Sequence, residues 1–330
     1  MTRKRIPSLD GLRAISIIIV VWGHTNTSSR VLGLYSFFGV QIFFVISGYL
    51  ITTLLLGEHD RTGTIDLRAF YVRRVLRIFP AAYAYILVIA LFFRPPLEYL
   101  AYAFTYTSCY AGPHGPWMLG HLWSLSVEEQ FYLLWPFALL LAFSSRKQVL
   151  WGVMLSVPVI RYVCIRVGWL DIHRYFPTVA DSLAAGCLLA VYFPALSRRC
   201  QWMTRPWVAA ALAIAALIAA RFQWSSRTIV LFFSGVVPLF IALIMFVAIE
   251  RQDWFLNNFA MREIGTLSYS IYLWQEMFLG GNLGGFDLLI RLCCVASFAY
   301  GSYYFVERPA LRLQAAKPIA NLETLLTPLP

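Results

Sequence analysis

The sequence has 330 residues, of which 60% are hydrophobic and only 13% charged, with a mean hydropathy of +0.67. Soluble globular proteins carry about 25% charged residues, so this composition excludes a soluble enzyme and points to an integral membrane protein. The net charge of +11 invites a nucleic-acid reading, but basic residues collecting in the cytoplasmic loops of a membrane protein explain it better.

In chain order, the apolar runs approach or reach the roughly 20 residues that span a bilayer. They predict an all-α polytopic membrane protein with about ten transmembrane helices, at 9–28, 34–56, 72–93, 123–143, 149–167, 175–193, 206–221, 228–249, 265–281 and 286–306. The opening stretch MTRKRIPSLDGLRAISIIIVV has the outline of a signal peptide. Asp10 and Arg13 interrupt the approach to its apolar core and no small-residue cleavage site follows, so it is retained as the first helix. Residues 97–110, LEYLAYAFTYTSCY, are too short and too polar for a full crossing and are read as a re-entrant or interfacial segment. With the N-terminus inside, 18 of the 27 Lys and Arg fall on the inner side and 6 on the outer, while Arg13, Arg161 and Arg291 lie within spans. Treating 97–110 as a crossing would place Arg146 and Lys147 outside and invert every later loop, so charge and length agree. Both termini are then cytoplasmic. Residues 1–312 form a single transmembrane domain and 313–330 a short cytoplasmic tail. The six cysteines lie mostly in apolar runs, and no structural disulfide is expected.

Ionisable groups within apolar spans are costly and mark candidate functional positions. In LDGLRAISIIIVVWGH, Arg13 and His24 are eleven residues apart, which sets them about 20° apart around a helix and about 16 Å along it. Asp10 could pair with Arg13 at spacing i,i+3. In HLWSLSVEEQFYLLWP, Glu128 and Glu129 lie about two turns into a span. His121, Ser124 and Glu128 share one stripe that starts at nearly the depth of His24. A carboxylate beside an imidazole makes a proton-transfer pair, so Glu128 is placed with His24 on grounds of depth alone. In FYVRRVLRIFPAAY, Arg73, Arg74 and Arg77 stand beside Arg68 at an inner entrance. They fit either positive-inside topology or bidentate binding of a phosphate. Asp181, Arg161, Glu276 and Arg291 fall in the outer halves of their spans, where they either line a polar cavity or pair structurally.

LDGLRAISIIIVVWGH, FFGVQIFFVISGYLITTLLL, FYVRRVLRIFP, HLWSLSVEEQFYLLWP, LSYSIYLW and FVERP resemble, in order, the landmarks of membrane-bound acyltransferase family 3, bacterial O-acyltransferases of surface and secreted glycans. The resemblance spans residues 8 to 309. It carries the family's arginine and histidine motif onto Arg13 and His24, its paired arginines onto Arg74 and Arg77, and its motif glutamate onto Glu128. It implies acyl-CoA as co-substrate from the cytoplasmic side and a sugar hydroxyl as acceptor at the outer side, with a loop folded back near 97–110. Two departures stand out. Many relatives have histidine after YLW, where this chain has Gln275 and Glu276, which weakens a catalytic role there; and Val179 and Ala180 precede Asp181 where many relatives have arginine.

The resulting expectation is an O-acetyltransferase-like enzyme of the bacterial inner membrane that moves an acyl group, most naturally acetyl from acetyl-CoA, to a carbohydrate hydroxyl of a glycan or glycolipid. His24 and Glu128 are the catalytic pair. Arg13, Arg73, Arg74 and Arg77 bind the donor; Asp10, Ser124, Glu129 and Asp181 support the site. No metal, no permanently bound cofactor and no nucleic acid is called for. The rival reading is a multi-pass secondary transporter of a small polar or anionic solute. Transporters often carry paired internal repeats, and no counterpart of RRVLRIFP or SVEEQFY occurs in the second half.

Overall fold

The computed structural model describes residues 6–25, 30–112, 114–169, 172–222, 227–280 and 288–316. Residues 317–330 of the tail expected at 313–330 lie outside them, as do the first basic residues. Among the described residues there are helices and connecting turns and no strand. The helices are α1 (Pro7–His24), α2 (Arg30–Thr62), α3 (Leu67–Phe93), α4 (Leu97–Phe104), α5 (Trp117–Gly120), α6 (Leu122–Leu141), α7 (Arg146–Arg166), α8 (Phe176–Arg199), α9 (Pro206–Phe222), α10 (Arg227–Arg251), α11 (Trp254–Asn257), α12 (Phe259–Leu279), α13 (Leu288–Ser302) and α14 (Arg308–Ala316).

Each expected span coincides with one long helix, although ends shift; α2, for example, runs on to Thr62. By length and composition, five of the helical stretches among the described residues could cross a membrane: Tyr35–Thr62, Leu67–Phe93, Arg146–Arg166, Phe176–Arg199 and Leu288–Leu313. Local chemistry sets several boundaries. Asp66 caps α3 by accepting from the Ala69 amide at 2.9 Å, and Asn258 caps α12 by accepting from Met261 at 3.0 Å. At its other end α3 stops at Arg94, whose left-handed backbone (φ 46°) leads into Pro95 and Pro96.

Two arrangements position the site. First, α1 and α12 run parallel in close contact. A Cβ at Gly265 would overlap the Asp10 carbonyl, and Glu276 meets His24 at the far end. Only glycine permits so near an approach of the two backbones. Second, the chain doubles back after α3. Phe104 accepts from the Tyr83 hydroxyl at 3.2 Å, and the Tyr106 ring stacks on Phe79 at 4.8 Å, about 21 Å back along α3 from Phe93. Tyr106 takes a left-handed backbone (φ 54°) at the tip, and the chain then climbs along α6, where Ser126 Oγ accepts from the Ser108 amide at 3.0 Å. The fold-back thus covers the stretch 97–110 that was too polar and too short to be a span. All six cysteines are free.

Candidate active site

A cavity of about 590 Å³ lies between α1, α2, α3, α6 and α12. Asp10, Arg13, Arg74, Arg77, Ser124 and Glu128 line it, which brings six of the expected site residues together. The aliphatic and aromatic side of the cavity comes from α2, including Val40, Phe43, Leu50 and Leu54.

The cations in this cavity differ in what holds them. Arg13 lies 3.4 Å from Asp10, the i,i+3 pairing anticipated from spacing. The Arg74 guanidinium lies over the rings of Phe70 and Tyr132, 5.6 Å from each centroid, and its buried Nε has no hydrogen-bond partner. Arg77 likewise makes no hydrogen bond or close ion pair among the described residues while lining the cavity. Glu128 and Glu307 share the cavity with them but grip neither arginine at ion-pair distance, and a cavity that collects two such guanidinia is suited to a polyanion. Arg73 does not join them. It pairs with Glu58 on α2 at 3.6 Å, outside the cavity lining, so two of the three neighbouring arginines on α3 line the cavity.

Glu128 belongs to this cavity and not to His24. Its carboxylate accepts from Ser47 Oγ at 2.7 Å and from the Tyr132 hydroxyl at 3.4 Å. The carboxylate beside His24 is Glu276, the position whose role the sequence reading had discounted. Glu276 Oε1 stands 3.5 Å from His24 Nε2, while Oε2 stands 3.2 Å from His121 Nδ1 and accepts from the His121 amide at 3.1 Å. One carboxylate therefore bridges two imidazoles. His24 Nδ1 contacts the Val20 carbonyl at 2.8 Å; a carbonyl only accepts, so Nδ1 carries a hydrogen, and Nε2 is the nitrogen that faces Glu276. His24 is partly exposed, and Trp117 packs edge-on against it at 5.8 Å, whereas His121 is buried between the rings of Tyr85 and Tyr272.

Asp181 and Glu129 lie elsewhere. Asp181 forms a buried two-point pair with Arg161, at 2.9 and 3.0 Å, and Arg161 also donates to the Thr178 carbonyl. Of the two alternatives for these residues, structural pairing holds. Glu129 turns away from the cavity with its buried Oε1 unpartnered. Residues that sequence reasoning passed over include Glu307, which accepts from Ser270 at 3.0 Å and lines the cavity within a π-helical turn, Tyr303–Glu307. Such turns often accompany functional positions, and the motif FVERP was its one signal in the sequence.

Residues 6–306 match a family described as an acyltransferase domain. The chain belongs to that acyltransferase family. It is 33% identical over 314 residues to the peptidoglycan O-acetyltransferase OatA of Listeria monocytogenes, covering 83% of this chain and 49% of that protein. It is 29% identical to the putative peptidoglycan O-acetyltransferase YrhL of Bacillus subtilis, covering 93% and 55%, and 30% identical to a putative O-acetyltransferase of Staphylococcus aureus, covering 93% and 57%. The chain thus spans about half the length of the curated relatives it matches. No solved structure matches it.

Proposed function

We propose that this chain is a multi-pass O-acetyltransferase of the bacterial inner membrane, with about ten crossings and both ends cytoplasmic, and that it transfers acetyl from cytoplasmic acetyl-CoA to a hydroxyl of a cell-envelope glycan. The names of its relatives make a peptidoglycan-type glycan the favoured acceptor. One observation carries the reading: a cavity in which two arginines stand outside any close ion pair adjoins, at Tyr272, an imidazole–carboxylate–imidazole cluster.

In this reading Arg74 and Arg77 hold the phosphates of CoA and the pantetheine arm lies along the α2 wall. The acceptor hydroxyl approaches His24 from the outer side. Nε2 takes its proton while the oxygen attacks the thioester carbonyl, the C–S bond breaks, and the proton passes on to the departing thiolate. Glu276 favours the imidazolium that forms in between, and His121 fixes the carboxylate that does so. A transporter would use ionisable residues along a pathway too, but family membership now weighs against that rival.

The test is transfer of labelled acetyl from acetyl-CoA to peptidoglycan fragments by the purified chain in nanodiscs. Transfer that vanishes in His24→Ala supports the proposal. A well-folded wild-type chain that neither binds acetyl-CoA nor transfers acetyl overturns it.

A further inference from the structure

Tyr272 sits where the cavity ends and the histidine cluster begins. Its ring lines the cavity together with Ser124 and Phe43, whereas His121 and Glu276 do not line it. Its hydroxyl donates to the His121 carbonyl at 2.8 Å and lies 2.5 Å from the Ser124 hydroxyl. The same ring meets His121 edge-on at 5.3 Å and Phe43 at 6.3 Å. A side chain held by two hydrogen bonds at its tip and packed between two rings is a fixed wall, not a freely rotating one.

We infer that Tyr272 sets the acyl-chain length of the donor. The inference rests on the function proposed above. With the phosphates at Arg74 and Arg77, the acyl group is the outermost part of the donor and comes to rest against Tyr272 and Phe43. A two-carbon group fits in front of that wall and leaves its carbonyl carbon next to the cluster. Each further methylene has to displace a ring anchored on the side facing His121. Tyr272 is thus a specificity-determining residue that acts by shape and takes no part in proton transfer.

The experiment compares kcat/KM for acetyl-, propionyl- and butyryl-CoA, with peptidoglycan fragments as acceptor, in wild type, Tyr272→Phe and Tyr272→Ala reconstituted in nanodiscs. A hydrophobic pocket discriminates one methylene by about 10–200-fold, so wild type is expected to lose at least ~10-fold per added carbon. In Tyr272→Ala the butyryl-to-acetyl ratio is expected to rise by at least ~10-fold. Tyr272→Phe keeps the ring but frees its tip and is expected to give a smaller rise. A general loss of folding would lower all three donors together and leave the ratio alone. An unchanged ratio in folded Tyr272→Ala overturns the inference, and Tyr272→Phe decides it in the same way if the alanine variant does not fold. Wild type that fails to bind any acyl-CoA overturns the proposed function and this inference with it; acetyl transfer with an unmoved ratio overturns this inference alone.

Discussion

Glu276 Oε1 lies 3.5 Å from His24 Nε2, although 252 positions separate the two residues in the chain. The two helices that carry them run side by side in the same direction, and the close contact of Gly265 with the Asp10 carbonyl sets their spacing at the other end.

Glu276→Gln keeps the size of the side chain and removes the charge that favours an imidazolium. It is expected to lower kcat by about 10²-fold or more with little change in donor KM. Steady-state kinetics on purified protein checks this. Glu128→Gln, whose carboxylate accepts from Ser47 and Tyr132 inside the cavity, is expected to act on donor KM as well.

The arginines on α3 are expected to divide. Arg74→Ala and Arg77→Ala raise the acyl-CoA KM, and lysine at either position restores it only in part, since an ammonium lacks the bidentate fork. Arg73→Ala leaves donor KM unchanged, because Arg73 pairs with Glu58, and it costs at most about 1 kcal/mol of stability, as partly exposed pairs do. Equal effects of Arg73→Ala and Arg74→Ala on donor titrations would contradict the division.

Asp181→Ala leaves Arg161 buried and unpaired, for an expected loss of about 3–5 kcal/mol. The readout is thermal unfolding in detergent. Replacing both partners with apolar residues of similar volume is expected to recover much of the loss, with donor KM near wild type throughout.

Gly265→Leu pushes α12 away from α1. Because His24 and Glu276 sit on these same helices, activity is expected to fall further than stability does. The comparison is specific activity against melting temperature, with Gly57→Leu as a control at a position with open space around it.

Much of this was legible in the sequence. Apolar runs placed the helices, eleven-residue spacing put Arg13 and His24 on one face, i,i+3 spacing paired Arg74 with Arg77, and i,i+4 spacing paired Ser124 with Glu128; that these two pairs share one cavity was not legible. The carboxylate partner of His24 was not legible. Glu128 shares a stripe with His121, but seven residues along a helix is about 10.5 Å of depth, enough to drop its carboxylate from the histidine level into the cavity. Glu276 has the right depth, yet depth says nothing of which helices are neighbours, and the backbone contact at Gly265 that decides this leaves no mark in hydropathy. Arg73 illustrates the same limit. Spacing alone allows it to face the cavity beside Arg77, and Glu58 on the preceding helix draws it away.

The parallel pairing of α1 with α12 also has a temporal side. A nascent chain that has inserted its first eight long helices already displays His24 and the three cavity arginines, but it has neither Glu276 nor Tyr272, so in the proposed mechanism the base lacks its carboxylate and the donor chamber lacks its outer wall. On the proposed mechanism a chain cut short before α12 is expected to transfer no acetyl, and two separately expressed fragments split between α10 and α12 are expected to be inert alone and to regain transfer when they meet in the same membrane.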